Sequence, residues 1–104
     1  MVFSPPKSLA KVVNPQTGLS MVEAEMLAEA AASLGHHGRK VERALAALDG
    51  SEPENRRGRT RVAARAVWEY LIQREMMGMR DHRLIVREMG VPREVLNLVG
   101  SIRS

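Results

Sequence analysis

The sequence contains no cysteine and has only one tryptophan, one tyrosine and one phenylalanine among 104 residues. The lack of cysteine excludes disulfide frameworks, thiol catalysis and cysteine-based zinc sites. No uninterrupted apolar run approaches the roughly 20 residues that a membrane-spanning helix requires. The first residues have no apolar core of the kind found in secretory signals. These absences predict a cytoplasmic protein without a membrane segment.

The scarcity of aromatic residues also bears on the fold class, because the core must then be built from leucine, valine, methionine and alanine. Such a core favours helices over strands, and no segment alternates apolar and polar residues for long enough to predict a strand. We therefore expect an all-α protein with a single helical domain, residues 19–104. An extended N-terminal arm, residues 1–18, precedes it and contains three prolines, with Phe3 as its predicted anchor; the alternative for these residues is a disordered tail.

A long helix is predicted over residues 20–49, where leucine and valine recur every seven positions for about four repeats. The members of this line are Leu27, Leu34, Val41 and Leu48. Ser20 and Glu23 fit a capping box at its start. The stretch from Gly35 to Gly38 could instead form a turn between two shorter helices, but the unbroken heptad phase favours one continuous helix.

Small residues on the same helix, at alternating spacings of four and three, predict that a second helix approaches closely. The candidate helix–helix interface comprises Ala24, Leu27, Ala28, Ala31, Leu34, Gly35, Gly38 and Val41. Its partner is either the second long helix of the same chain or the same helix of a second copy. Since a lone domain of this size is marginally stable, we expect a homodimer.

The second long helix is predicted to start near Glu52 and to end at Met77, with Gly78 as its terminator. Gly50 is expected to end the first helix in the left-handed conformation, and Ser51 with Glu54 repeats the capping-box spacing. The two long helices would then form an antiparallel hairpin.

Two short helices are expected to close the domain. Asp81 is a predicted N-cap for residues 82–89, which Gly90 ends, and Pro92 opens a last helix that Gly100 stops after about Val99. This segment resembles a helix-turn-helix at 82–99.

Basic residues are concentrated in the C-terminal two thirds, where residues 36–104 carry 14 bases and 9 acids. Five arginines fall within Arg56–Arg65, without an acid among them. Such a cluster can neutralise phosphates, but a solvated helix face that Glu52 and Glu54 partly balance is the simpler explanation. The candidate nucleic-acid contacts are Arg57, Arg61 and Arg65 from the cluster with Arg93 and Asn97 from the last helix.

No constellation of residues predicts catalysis or metal binding. His36 and His37 are adjacent and point about 100° apart on a helix, so one ion cannot bind both from the same face. Glu75 lies within an apolar face, and we expect it either to reach water near the helix end or to pair with a base such as Arg80 or Arg83. We therefore predict a non-enzymatic protein without metal or cofactor, whose function is self-association or, alternatively, nucleic-acid binding.

Several short motifs spread over the chain resemble those of a small family of bacterial all-helical proteins of about this length. The motifs are Pro5-Pro6, Gly18-Leu19, Gly35 through Arg39, Val67-Trp68, Gln73-Arg74-Glu75, Arg80-Asp81-His82 and Gly90-Val91-Pro92-Arg93-Glu94-Val95. The family has no established activity. The resemblance implies an all-α fold and a cytoplasmic, bacterial origin, and it transfers no catalytic or binding residues.

Overall fold

The structure is a computed structural model that describes Gly18 and residues 20–103, so the predicted arm, residues 1–18, lies almost wholly outside the described residues. The described part is all-α, with no strand, and its helices are α1 (Met21–Asp49), α2 (Pro53–Met76), α3 (Arg83–Glu88) and α4 (Arg93–Arg103). The chain forms two compact units, Met1–Ala32 and Ser33–Ser104.

The first long helix is continuous through Gly35 and Gly38, which confirms the interpretation that the heptad phase favours. Its start also agrees with the sequence, because the hydroxyl of Ser20 accepts a hydrogen bond from the backbone N–H of Glu23 at 3.1 Å. The same hydroxyl donates to the carboxylate of Glu23 at 3.0 Å. Ser20 thereby satisfies one backbone N–H that the start of the helix leaves open, whereas the contact of the Glu23 carboxylate is with the Ser20 hydroxyl.

Within residues 33–104, α1 and α2 form the predicted antiparallel hairpin. Lys40 of α1 pairs with Glu69 of α2. Further along α1, the carbonyl of Ala47 accepts a hydrogen bond from Arg59 of α2. The residue numbers rise on one helix as they fall on the other, so the two helices run in opposite directions.

The core of this unit is centred on α2, which contributes mostly small side chains and so lets its neighbours approach closely. The α4 helix packs against α2 through Val95 and Val99, of which 0% and 4% are exposed. The core residues are Val41, Leu48, Ala63, Ala64, Ala66, Val67, Tyr70, Leu71, Val95 and Val99. Burying a valine or leucine side chain contributes roughly 1.5–3 kcal/mol, so the α1 and α4 residues fix the hairpin and its closing helix.

Glycine ends two of the helices, as the sequence predicts. Gly78 has φ +88° and Gly90 has φ +65°, both in the left-handed region. In each case the next residue donates its backbone N–H five residues back: Met79 donates to Arg74 at 3.0 Å and Val91 to Val86 at 3.2 Å. This is the Schellman pattern, which satisfies carbonyls that the helix end leaves open.

Three other boundary predictions are wrong. Gly50 does not have a positive φ, because its N–H still donates to Ala46 in a helical geometry. The hydroxyl of Ser51 donates to the carbonyl of Leu48 at 2.6 Å, so it satisfies the end of α1 and does not cap α2, whose N-cap is Glu52 without a side-chain hydrogen bond. Gly100 does not stop α4, since a helical glycine costs only about 1 kcal/mol.

Candidate functional site

The first described turns of α1, residues 21–32, present apolar side chains to solvent. The exposed fraction is 52% for Met21, 64% for Met26 and 50% for Leu27. The predicted interface residues Ala24, Ala28 and Ala31 are exposed as well. Large apolar side chains grouped in this way on one helix are typical of a surface that another protein element covers.

The remaining predicted interface residues lie in the other unit, where α2 of the same chain contacts them. A Cβ built on Gly38 would lie 3.4 Å from the Cε1 atom of Tyr70, so the absence of a side chain lets the tyrosine ring pack there. Val41 is fully buried in the core, and Leu34 packs against that core from its edge. Gly35 is half-buried. The close helix approach that the small residues predict is thus made, at Gly38 and Val41, within one chain.

The arginine cluster of α2 has several partners inside the protein. Arg56 forms an ion pair with Glu94 of α4, and Arg59 donates to the carbonyl of Ala47 at 2.8 Å. These two arginines connect α2 to the helices on either side of it. Among the described residues, no ion pair involves Arg57 or Arg61, and both side chains are exposed.

Arg65 combines an ion pair with an aromatic contact. Its guanidinium carbon lies 4.9 Å from the ring centroid of Trp68, within the range of a cation–π interaction. Its Nε lies 3.4 Å from Glu69, whose other carboxylate oxygen is 3.2 Å from Lys40. Partial burial alone would raise the pKa of Glu69, but hydrogen bonds and charges from Lys40 and Arg65 outweigh it, so this pKa lies below its usual value.

The hairpin brings basic residues from both long helices to one open groove of about 530 Å³. We call it the basic groove. Its basic residues are Lys40 and Arg43 of α1 with Arg61 and Arg65 of α2, and its apolar lining is Ala44, Val62 and Ala66. The sequence prediction found the two α2 residues and missed the two α1 residues. Counting the hairpin register back from the loop would have placed Lys40 and Arg43 opposite them.

The helix-turn-helix-like segment keeps Arg93 and Asn97 exposed. Its first helix, however, has only 6 residues, and Glu94 of the second is held by Arg56. The ion pair accounts for the presence of Glu94 on this helix, where a DNA phosphate would repel a carboxylate. The prediction that Arg93 and Asn97 contact nucleic acid stays a prediction.

Glu75 pairs with a histidine of the segment that follows α2. The Nε2 atom of His82 lies 2.8 Å from its carboxylate, because the turn after α2 folds back over the helix end. Nε of Arg74 donates to Nδ1 of His82 at 3.2 Å. Since arginine can only donate, Nδ1 must be an acceptor, and the ring proton on Nε2 is donated to Glu75. The base that the structure shows at Glu75 is thus His82, and pairing of Glu75 with Arg80 or Arg83 stays a prediction.

Arg83 pairs with Asp81, which lies just before the N-cap of α3, His82. One carboxylate oxygen of Asp81 accepts the backbone N–H of Arg83 at 3.1 Å, and the other lies 2.8 Å from its guanidinium. The side-chain and backbone hydrogen bonds from Arg83 hold the pKa of Asp81 well below its usual range. The prediction of Asp81 as the N-cap is wrong by one residue, because the N-cap of α3 is His82 and Asp81 accepts the Arg83 N–H from the position before it.

The two adjacent histidines of α1 do not share a ligand geometry. Their ring centroids are 5.7 Å apart with the planes at 66°, which is an edge-to-face contact. In the part of the chain that the structure describes, no group of three or more histidine, aspartate or glutamate side chains is placed to hold a metal ion. The expectation of no metal site and no cofactor stays a prediction.

Comparison with known proteins gives a family without an assigned activity. None of the described helices is long and apolar enough to cross a membrane. No curated protein and no solved structure is significantly similar to the chain. A family model, described as a family of unknown function (DUF6665), matches residues 2–104. Because the match covers nearly the whole chain, this protein belongs to the DUF6665 family.

Proposed function

We propose that the protein is a non-enzymatic helical interaction module that forms a homodimer through the exposed apolar side chains of residues 21–32. The observation that carries this proposal is the exposure of Met26 and Leu27, at 64% and 50%. Leu27 belongs to the same heptad line as Val41 and Leu48, which are 0% and 1% exposed. Since the side chains of this heptad line are buried where α2 lies beside α1, we expect a further helix to bury the exposed part of the line as well.

The chemistry of the Glu75–His82 pair supports the non-enzymatic part of the proposal. A general base needs a nitrogen that is free to accept a proton from a substrate. In His82 one ring nitrogen accepts a hydrogen bond from Arg74 and the other faces Glu75, so both are occupied. The pair joins the end of α2 to the start of α3, which is a structural task.

Light scattering after size exclusion tests the dimer. Wild type is expected to elute at twice the chain mass of 11.5 kDa, and Met26→Arg at the mass of one chain, because a guanidinium cannot be buried in an apolar helix contact without a partner. Leu84→Arg is the matched control, since Leu84 is 61% exposed on α3. A monomeric wild type at micromolar concentration, or a monomeric Leu84→Arg with a dimeric Met26→Arg, would refute the proposed face.

Nucleic-acid binding is a second candidate function, and the exposure of Arg57 and Arg61 without an ion pair among the described residues favours it. The affinity for labelled duplex DNA is then expected to fall steeply with salt. Exchange of both arginines for glutamine should lower it further, whereas the same exchange at Arg80 and Arg87 should not. Absence of binding at low salt would eliminate this candidate.

A further inference from the structure

The exposed turns of α1 carry acids as well as apolar side chains. Residues 21–32 contain Glu23, Glu25 and Glu29 and no lysine or arginine, and all three acids are exposed. We call these residues the acidic segment. A helix N-terminus tolerates such acids well, but the sequence places two of the three beyond the first turn, where the helix itself gains little from them.

The basic groove has the opposite character. Four cationic side chains surround an apolar lining, and Val62 within that lining is 63% exposed. In the described part of the chain, the only carboxylate paired with these four cations is that of Glu69, which is shared by Lys40 and Arg65. Arg43 and Arg61 have no such partner, so the groove keeps an excess of positive charge next to an apolar surface that water covers.

We propose that the acidic segment of one copy docks into the basic groove of a second copy. This inference rests on the proposed homodimer and names the surface to which the exposed turns of α1 bind. The charges are complementary, since a segment with three acids and no base meets a groove with four bases. The apolar surfaces are complementary too, because each site exposes side chains that the other can cover.

The helical arrangement of the acidic segment fits such a groove. Val22 and Met26 are four residues apart and share one face of α1, and they are 40% and 64% exposed. Each residue turns the helix by about 100°, which places Glu25 and Glu29 on one flank of this face. The same rotation places Glu23 on the other flank. With Val22 and Met26 against the apolar lining, carboxylates point to both rims, where α1 and α2 of the second copy each supply two bases.

Charge reversal on each side tests the docking in the full-length protein. The groove variant is Arg43→Glu with Arg61→Glu, chosen because neither arginine has an ion pair among the described residues. The segment variant is Glu25→Arg with Glu29→Arg. Each variant alone should dimerise at least about tenfold more weakly than wild type in sedimentation velocity, since like charges then face each other at both contacts of a dimer. Far-ultraviolet circular dichroism checks that each variant remains helical.

Mixing the two variants gives the decisive measurement. In a mixed dimer the reversed groove meets the reversed segment and the native groove meets the native segment, so both contacts have opposite charges again. We therefore expect the mixture to dimerise although neither component does so at the same concentration. The control Arg80→Glu with Arg87→Glu changes the net charge as much as the groove variant does, and it should dimerise as wild type does.

Each alternative outcome is distinguishable. A dimeric wild type whose groove variant dimerises equally well would overturn this inference and leave the proposed self-association standing. A monomeric wild type would overturn both. If the groove variant keeps its dimer and loses affinity for duplex DNA, the basic groove is a nucleic-acid surface and the inference is wrong.

Discussion

Gly38 offers a sharp test of the hairpin, because its missing side chain faces the ring of Tyr70. A Cβ at this position would lie 3.4 Å from Cε1 and 3.8 Å from Cζ of the ring. These are ordinary van der Waals distances, so alanine fits without a shift. The further atoms of a leucine side chain do not fit, since Tyr70 is only 9% exposed and is held in the core.

A matched glycine allows the packing cost to be separated from helix propensity. Gly58 also lies inside a helix, and a Cβ there would meet no atom within 4 Å. Replacing either glycine by leucine improves helix propensity by roughly 0.5–1 kcal/mol. Only Gly38→Leu also overpacks the interface, at a cost of roughly 1–3 kcal/mol. The free energies of unfolding of the two variants should therefore differ by roughly 1–3 kcal/mol, with Gly58→Leu the more stable.

Urea unfolding followed by circular dichroism, at one protein concentration for all variants, measures this difference. A loss of 1 kcal/mol corresponds to a fall in Tm of roughly 4–8 °C for a domain of this size, so thermal unfolding gives an independent reading. Gly38→Ala should be at least as stable as wild type. Equal stability of Gly38→Leu and Gly58→Leu would refute the packing of α1 against α2 at this point.

Two further predictions concern the same hairpin. The pKa of Glu69 is lowered from its ordinary value of 4.5 in the folded protein, so the folded state is stabilised above that pH and loses this contribution as the pH falls through the lowered pKa. We therefore expect Glu69→Gln to lose up to about 1 kcal/mol of stability near neutral pH and to match wild type in acid. Urea titrations at several pH values would contradict this prediction if the difference grew on acidification. Leu48→Ala should lower the free energy of unfolding by about 2–5 kcal/mol, because Leu48 is 1% exposed in the core. The control Leu84→Ala, at a site that is 61% exposed, should change it by less than about 0.5 kcal/mol. Similar losses for the two variants would contradict the core assignment.

The heptad line shows how much of the fold the sequence can predict. It correctly gives a continuous α1, since leucine and valine keep one phase across both central glycines. It does not distinguish Leu27, which is 50% exposed, from Leu48, which is 1% exposed. The spacing of apolar residues indicates which side chains another helix should bury. Which of them are buried within the same chain depends on where α2 lies.

The contacts of charged residues are hard to derive from the sequence for a related reason. The sequence suggests a base such as Arg80 or Arg83 for Glu75 and does not single out His82, which reaches the carboxylate because the chain turns at the left-handed Gly78. Likewise, the pairing of Arg56 with Glu94 spans 38 residues and requires α4 to return to the start of α2. Turn geometry and helix docking decide these contacts, and neither can be derived from the spacing of charges.

The uneven distribution of charge has a consequence for assembly that net charge alone conceals. Each copy carries one acidic segment and one basic groove, so docking can either close into a two-fold dimer or continue from copy to copy as a filament. In a closed dimer both contacts form together, and the second becomes effectively intramolecular once the first exists. One reversed site per chain then weakens both contacts at once. A closed dimer also gives a single mass that does not grow with concentration, which light scattering separates from a filament.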